Sequence, residues 1–344
     1  MKDIQMHRPS APFYIQFEVT DACNHNCFFC YNDTAKYKGD LLSCEEIKLI
    51  LRQIKEAGVF SINFNGGEPL MRSDIFELLE FASELGFDLH MNTNATLIDD
   101  YKAELIAKFL PSVCVSALAS NPKIHDDLTG HPGSFQRMKK GVSLLLKRGV
   151  KVEVNVCTFR SNYKDLYNIA KVMAEKDVHV FCVTRYILAN PKDINNLLGE
   201  KETIEVLDSL ECIKNDFPTY QEVKLPGPVP YCELPPNQKE RLEKWNTPCQ
   251  IGFGLCRISP QGIMTPCPIS SLYIGDLRKS SFKELWNHKI WNKFESLSHF
   301  PEACRLCDDL RSCRGGCIGY DDCLIESGYM PDTRKWRESK CTLH

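Results

Sequence analysis

No stretch of this 344-residue sequence approaches the ~18 consecutive apolar residues of a membrane span. Met1 to Ser10 is polar and lacks the apolar core of a secretory signal. Charge of one sign is missing too. Lys and Arg number 42 against 45 Asp and Glu, the net charge is −3, and neither sign forms a long run. A general nucleic-acid binder carries a basic stripe, and none is present. The expectation is a cytoplasmic protein with no nucleic-acid partner and no membrane. Apolar residues at 43% and charged residues at 25% are ordinary for a globular chain, and the length suits one large domain and one smaller one.

What the chain has in excess is cysteine, eighteen in all. Disulfides are rare in the cytosol, so metal ligation is the more economical use. Three cysteines lie between Cys23 and Cys30, and most of the others follow Cys249. The first group reads Cys23-x3-Cys27-x2-Cys30. Three thiols cannot be paired off as disulfides, because one is left over. They can hold three irons of a [4Fe–4S] cube and leave the fourth open to a small molecule. A three-cysteine zinc site completed by a histidine such as His25, or surface cysteines without a role, are the other readings.

Phe13 to Thr20 alternates and is rich in β-formers, so it reads as a strand. Ser43 with Glu46 is a capping-box signature, and Ile47, Ile50, Leu51 and Ile54 then follow helical spacing until Gly58. Further strands are expected at 59–65, 87–92, 113–118, 151–158 and 179–186. Helices are expected at 73–85, 99–109, 134–148 and 163–176. These make six strand-then-helix units, the pattern of a parallel α/β sheet and too few for a closed eight-fold barrel. An open (β/α)6 TIM-like partial barrel fits. Chemistry in such folds sits at the C-terminal ends of the strands, where Cys23–Cys30, Gly66-Gly67-Glu68-Pro69 and Asn94 all fall. The expected division is a tail at 1–12, the barrel at 13–189, a helical and proline-rich linker at 190–248, and a cysteine-rich domain at 249–344.

Cys-x3-Cys-x-aromatic-Cys after a first strand resembles the radical S-adenosylmethionine (SAM) superfamily, which uses this partial barrel. The resemblance implies that Cys23, Cys27 and Cys30 ligate a [4Fe–4S] cluster whose open iron binds SAM. One electron then releases a 5′-deoxyadenosyl radical that abstracts a hydrogen from the substrate. It also makes Phe29 the aromatic whose backbone faces the adenine, and Gly66, Gly67 and Glu68 the turn that binds the SAM amino group. Glycines there let the backbone approach a ligand, and the glutamate carboxylate can accept from an ammonium. Asn94 takes the position that meets the ribose. After the fourth strand the chain departs from the family pattern: Ala117-Leu118-Ala119-Ser120 replaces Ser-Leu-Asp-Gly, and Thr129 stands where an arginine is common. Ser116 and Arg185 are the remaining candidates for SAM or substrate contact.

The late cysteines read Cys249-x6-Cys256-x5-Gly262-x4-Cys267, then Cys304-x2-Cys307-x5-Cys313-x3-Cys317, with Cys323 and Cys341 beyond. This is similar to the SPASM iron–sulfur domain. The resemblance implies two fully ligated [4Fe–4S] clusters, the first on Cys249, Cys256, Cys267 and Cys317. The second would be on Cys304, Cys307, Cys313 and Cys341, with Cys341 preferred to Cys323 because the last ligand usually returns from a longer loop. With the SAM cluster that makes three. Cys44, Cys114, Cys157, Cys182, Cys212, Cys232 and Cys323 stay unassigned. Cys114, Cys157 and Cys182 read as small hydrophobes in strands, and any of the seven could donate a hydrogen atom to a substrate radical.

Radical SAM chains with this C-terminal domain mostly modify ribosomally made peptides, so the first expectation is an oxidative peptide cross-link, thioether or carbon–carbon. The second is oxidation, epimerisation or decarboxylation of a small molecule: a tetrapyrrole, a sugar or a redox-cofactor precursor. The anaerobic sulfatase-maturing subgroup is disfavoured, because its catalytic aspartate is replaced by Pro268. A flavodoxin- or ferredoxin-type electron donor is expected. With about a dozen residues before the first strand, a peptide would be recognised at the barrel mouth, along a strand edge, or by a separate carrier protein.

Overall fold

The computed structural model describes residues 7–32, 41–187, 195–227, 229–270, 272–296, 300 and 302–317; Cys323 and Cys341 lie outside the described residues. Six strands arise where alternation foretold them: β1 (Tyr14–Thr20), β2 (Ser61–Gly66), β3 (Asp88–Thr93), β4 (Ser112–Ser116), β5 (Lys151–Thr158) and β6 (Val180–Arg185). Each pairs in parallel with the next. One set of alternate residues, Ile15, Phe17, Ile62, Phe64, Val154 and Val156 among them, is buried in the core shared with the helices. The opposite face is polar. Asn63 donates to Asn92 across β2 and β3 at 3.1 Å, and Asn155 donates to Thr184 across β5 and β6 at 3.2 Å. The barrel interior is therefore built to meet a polar guest.

The helices close the outer layer. Helix α1 (Cys44–Glu56) starts at the expected capping box, with Ser43 N–H donating to the Glu46 carboxylate at 2.8 Å. It buries Ile47, Ile50, Leu51 and Ile54, a gain of about 6–12 kcal/mol as an upper bound at about 1.5–3 kcal/mol per side chain. Then come α2 (Ile75–Glu84), α3 (Asp100–Phe109), α4 (Pro122–Thr129), α5 (Ser134–Lys147), α6 (Leu166–Ala174) and α7 (Glu200–Asp216). Helix α4 falls outside the sequence expectation. It is started by Asn121, whose side chain accepts from the Lys123 and Ile124 N–H groups, with Pro122 in the first turn.

Two further departures concern the boundaries. A seventh strand, β7 (Glu222–Pro226), pairs in parallel with β6 inside the segment expected to be a linker. On the other side of β1, the cysteine-rich segment adds β9 (Leu255–Ile258) in parallel, placing Cys256 beside Ile15, and then β10 (Ile263–Thr265) and β11 (Gly275–Asp276). With the two-residue β8 (Asn246–Thr247) beyond β7, one sheet of eleven strands runs through both expected domain boundaries.

The N-terminal segment packs against the cysteine-rich segment. Arg8 bonds the Trp286 carbonyl and pairs with Glu295, and the Trp286 indole donates to the Pro9 carbonyl. Arg278 reaches from the cysteine-rich segment to Glu46, the α1 cap, at 2.7 Å. No helix among the described residues is long and apolar enough to cross a membrane.

Candidate active site

The loop that carries Cys23, Cys27 and Cys30 begins where β1 ends, and its backbone is held from three directions. Gly67 N–H donates to the Thr20 carbonyl at 2.7 Å, Glu68 N–H to the Ala22 carbonyl at 2.8 Å, and Asn26 N–H to the Thr129 carbonyl at 2.9 Å. The two glycines serve this contact. A Cβ on Gly66, whose φ is +135°, would lie 2.2 Å from the Thr20 oxygen, and one on Gly67 would lie 2.1 Å from the Ala22 oxygen. They admit the backbone of the cysteine loop itself.

Within the loop, Cys30 N–H donates to the Cys27 carbonyl at 3.2 Å, and the Cys27 thiol lies 3.9 Å from the Thr129 carbonyl. Burial pushes the Cys27 thiol up to about 12, and Cys30 and Cys23 beside it add to the shift. Metal binding must therefore displace protons here. Among the described residues, the three sulfurs do not all fall within 4.8 Å of one another, alone or with His25; the set that does is Cys44, Glu45 and Glu77. A tetrahedral zinc with ~2.3 Å bonds needs sulfurs about 3.8 Å apart. The wider spacing suits a multi-iron cube.

Glu68 is 1% exposed. Its carboxylate accepts from the Thr93 hydroxyl at 2.7 Å, Asn94 N–H at 2.7 Å and Leu70 N–H at 3.2 Å. Burial raises its pKa, opposed by those three donors. The carboxylate thus joins the turn after β2 to the end of β3, and the parts of the turn left to meet an ammonium group are backbone carbonyls. Asn94 is in turn oriented by a residue that sequence analysis passed over. Its amide donates to Asn24 at 2.7 Å, its oxygen accepts from the Thr96 N–H and hydroxyl, and Asn24 donates to Thr96 at 2.9 Å. An asparagine between two cysteines gave no signal without its partner some 70 residues on.

Phe29 stacks on Phe159 with ring centroids 5.5 Å apart, in a small cluster with Tyr186. Ser116 is exposed at the end of β4. Arg185, at the end of β6, pairs with Glu233 at 2.7 Å. Thr129, at the position where an arginine is common, is 2% exposed and its hydroxyl is engaged with Ser134 and the Asp126 carbonyl. Cys114 and Cys182 lie against Glu153 on the polar barrel face, where Lys224 pairs with that glutamate at 2.7 Å. Cys182 is buried, as expected of a small hydrophobe in a strand.

The late cysteines separate into two groups. Cys249 feels the charge of Cys317 and lies, with Cys267, against the core that includes the fully buried Cys256. Cys304, Cys307 and Cys313 line a cavity of about 290 Å³.

Residues 17–173 match the model of the radical SAM superfamily, and residues 249–309 match that of the SPASM iron–sulfur cluster-binding domain. The chain thus carries a radical SAM domain followed by a SPASM domain. It is 27% identical over 320 residues to the AdoMet-dependent heme synthase of Oleidesulfovibrio alaskensis, covering 88% of this chain and 81% of that protein. To the AdoMet-dependent heme synthase of Methanosarcina barkeri it is 25% identical over 323 residues, covering 89% and 91%. Among solved structures, Streptococcus suis SuiB bound to S-adenosylmethionine superposes with a TM-score of 0.76 at 20% identity, covering 94% of this chain and 77% of SuiB. Native anSMEcpe with bound AdoMet superposes with a TM-score of 0.71 at 20% identity, covering 96% of each. At these identities the structures speak for the fold. This radical SAM chain is accordingly an enzyme that uses iron–sulfur clusters and SAM.

Proposed function

We propose that this radical SAM enzyme oxidises a small molecule of the tetrapyrrole class, in preference to the peptide cross-link first expected from sequence. The observation that carries the reading is the likeness to two heme synthases, which spans 88–89% of the chain and so includes both the barrel and the cysteine-rich segment. The polar inner face of the barrel is in keeping with it.

In this reading Cys23, Cys27 and Cys30 hold the SAM-binding [4Fe–4S] cluster, and the late cysteines hold two more. With cluster and SAM bound, one-electron cleavage of SAM supplies a 5′-deoxyadenosyl radical that takes a hydrogen atom from the substrate. The chain's own groups position the partners. The turn at Gly66–Glu68 and the Asn24–Asn94–Thr96 network hold the cysteine loop against the strand ends, and Phe29 and Ser116 are the groups offered to SAM. Arg185 is the cation offered to a substrate carboxylate, which would exchange with Glu233. The late cysteines would hold clusters able to take up the second electron, and a flavodoxin- or ferredoxin-type protein would supply the first.

The test is anaerobic turnover with SAM, a reductant and either an iron tetrapyrrole bearing carboxylate side chains or peptides encoded beside this gene, read by mass spectrometry. A tetrapyrrole product of lower mass, formed together with 5′-deoxyadenosine, is expected. Conversion of a peptide with the tetrapyrrole left untouched would overturn the reading.

A further inference from the structure

The stretch from Pro226 to Pro236, expected to be a linker, forms part of the wall of the cavity that holds Cys304, Cys307 and Cys313. Its centre is the short 3-10 turn Tyr231–Glu233, entered through Pro230. That turn is fixed on both sides. Glu233 pairs with Arg185 at the end of β6 at 2.7 Å. Tyr231 N–H donates to the Cys313 sulfur at 3.4 Å. A few residues on, Lys239 bonds Asp309, four residues before Cys313, at 2.6 Å. Between these anchors sits Cys232, which lines the same cavity as the three cysteines.

Four thiols around one cavity are the donor set of a fully ligated [4Fe–4S] cluster. We propose that Cys232 is the fourth ligand of the second auxiliary cluster, in the place that sequence spacing gave to Cys341. This rests on the reading of Cys304, Cys307 and Cys313 as cluster ligands. A ligand on a turn already anchored at both ends needs little further ordering when the cluster binds. The Tyr231 N–H donor to Cys313 is also the kind of hydrogen bond to sulfur that tunes a cluster's potential. The assignment sets the cluster one residue from the Arg185–Glu233 pair, and so ties it to the end of a barrel strand.

The experiment uses the anaerobically reconstituted full chain and two readouts besides turnover. In the first, iodoacetamide labelling mapped by mass spectrometry should find Cys232 protected until a chelator strips the iron, with Cys323 and Cys341 labelled from the start. Equal labelling of Cys232 before and after stripping overturns the proposal, and this arm needs no variant to fold. In the second, iron content and the EPR spectrum of the reduced protein are compared across variants. Cys304→Ala and Cys232→Ala should each lower the iron count from about twelve by one to four, with the same EPR signal lost. Cys323→Ala and Cys341→Ala should keep both. If Cys304→Ala leaves iron and spectrum unchanged, the cavity is not a cluster site and the underlying reading fails. If Cys304→Ala loses the signal while Cys232→Ala keeps it, Cys232 alone is misassigned.

Discussion

The buried carboxylate of Glu68 separates two accounts of the Gly66-Gly67-Glu68 turn. If it holds the turn to β3, as its three hydrogen bonds indicate, then replacing it must disturb the protein before SAM arrives. In Glu68→Gln the volume is kept, but the amide NH₂ must face at least one of the N–H donors of Asn94 and Leu70. One opposed buried donor costs about 1–3 kcal/mol. In Glu68→Ala both N–H groups lose their acceptor while the Thr93 hydroxyl can rotate away, which gives about 2–6 kcal/mol. At 1% exposure water offers no relief. Urea unfolding of the metal-free protein measures this directly, and calorimetric titration of the reconstituted protein measures SAM affinity. Both should fall together in Glu68→Gln, because Asn94 and the cysteine loop lose their support. A variant that unfolds at the wild-type urea concentration but binds SAM weakly would show instead that the carboxylate contacts SAM itself, and the positioning argument would be refuted.

Three other outcomes follow from the geometry. Cys256→Ala, on a fully buried strand position that would ligate the first auxiliary cluster, should leave 5′-deoxyadenosine formation largely intact and stop product formation, both read by liquid chromatography; unimpaired product would remove that cluster from the electron path. Arg257 forms a buried ion pair with Glu18, so Arg257→Ala should cost about 3–5 kcal/mol, and the double variant Arg257→Met with Glu18→Gln should recover much of it in urea unfolding. Burial holds His125 at about 4 in the folded chain, below its usual ~6.5. The unfolded chain therefore takes up the proton first as pH falls, and stability is lost between about pH 6.5 and 4, by about 2 kcal/mol at pH 5. His125→Gln should remove that part of the pH dependence, and an unchanged pH profile would count against it.

The barrel was legible because its strands obey a strict period of two; the expected strand at 151–158 coincides with β5 at both ends. The cysteine motifs were legible because their cysteines lie close in sequence. What escaped depends on distant partners. Strand β7 has only Val223 and Leu225 as buried alternate positions, among prolines, too short a pattern to read. Glu68 was read as an acceptor for an ammonium, and its bonds to Thr93 and Asn94 could not be seen because those residues belong to the next strand. Cys232 stands apart from the spaced motif that begins at Cys249, and only folding brings it to Cys304, Cys307 and Cys313. The boundary expected at Cys249 is where the SPASM match begins. A change in cysteine density marks a change in chemistry, while β9 continues the same sheet.

The central claim is that the loop at Cys23, Cys27 and Cys30 carries the SAM chemistry, since it alone was read as lacking a fourth protein ligand. The direct measurement is 5′-deoxyadenosine formed from SAM and dithionite by the triple variant Cys23→Ala, Cys27→Ala and Cys30→Ala, set beside its iron content. The account predicts no 5′-deoxyadenosine above background with about eight of about twelve irons retained. Continued SAM cleavage by that variant would contradict it.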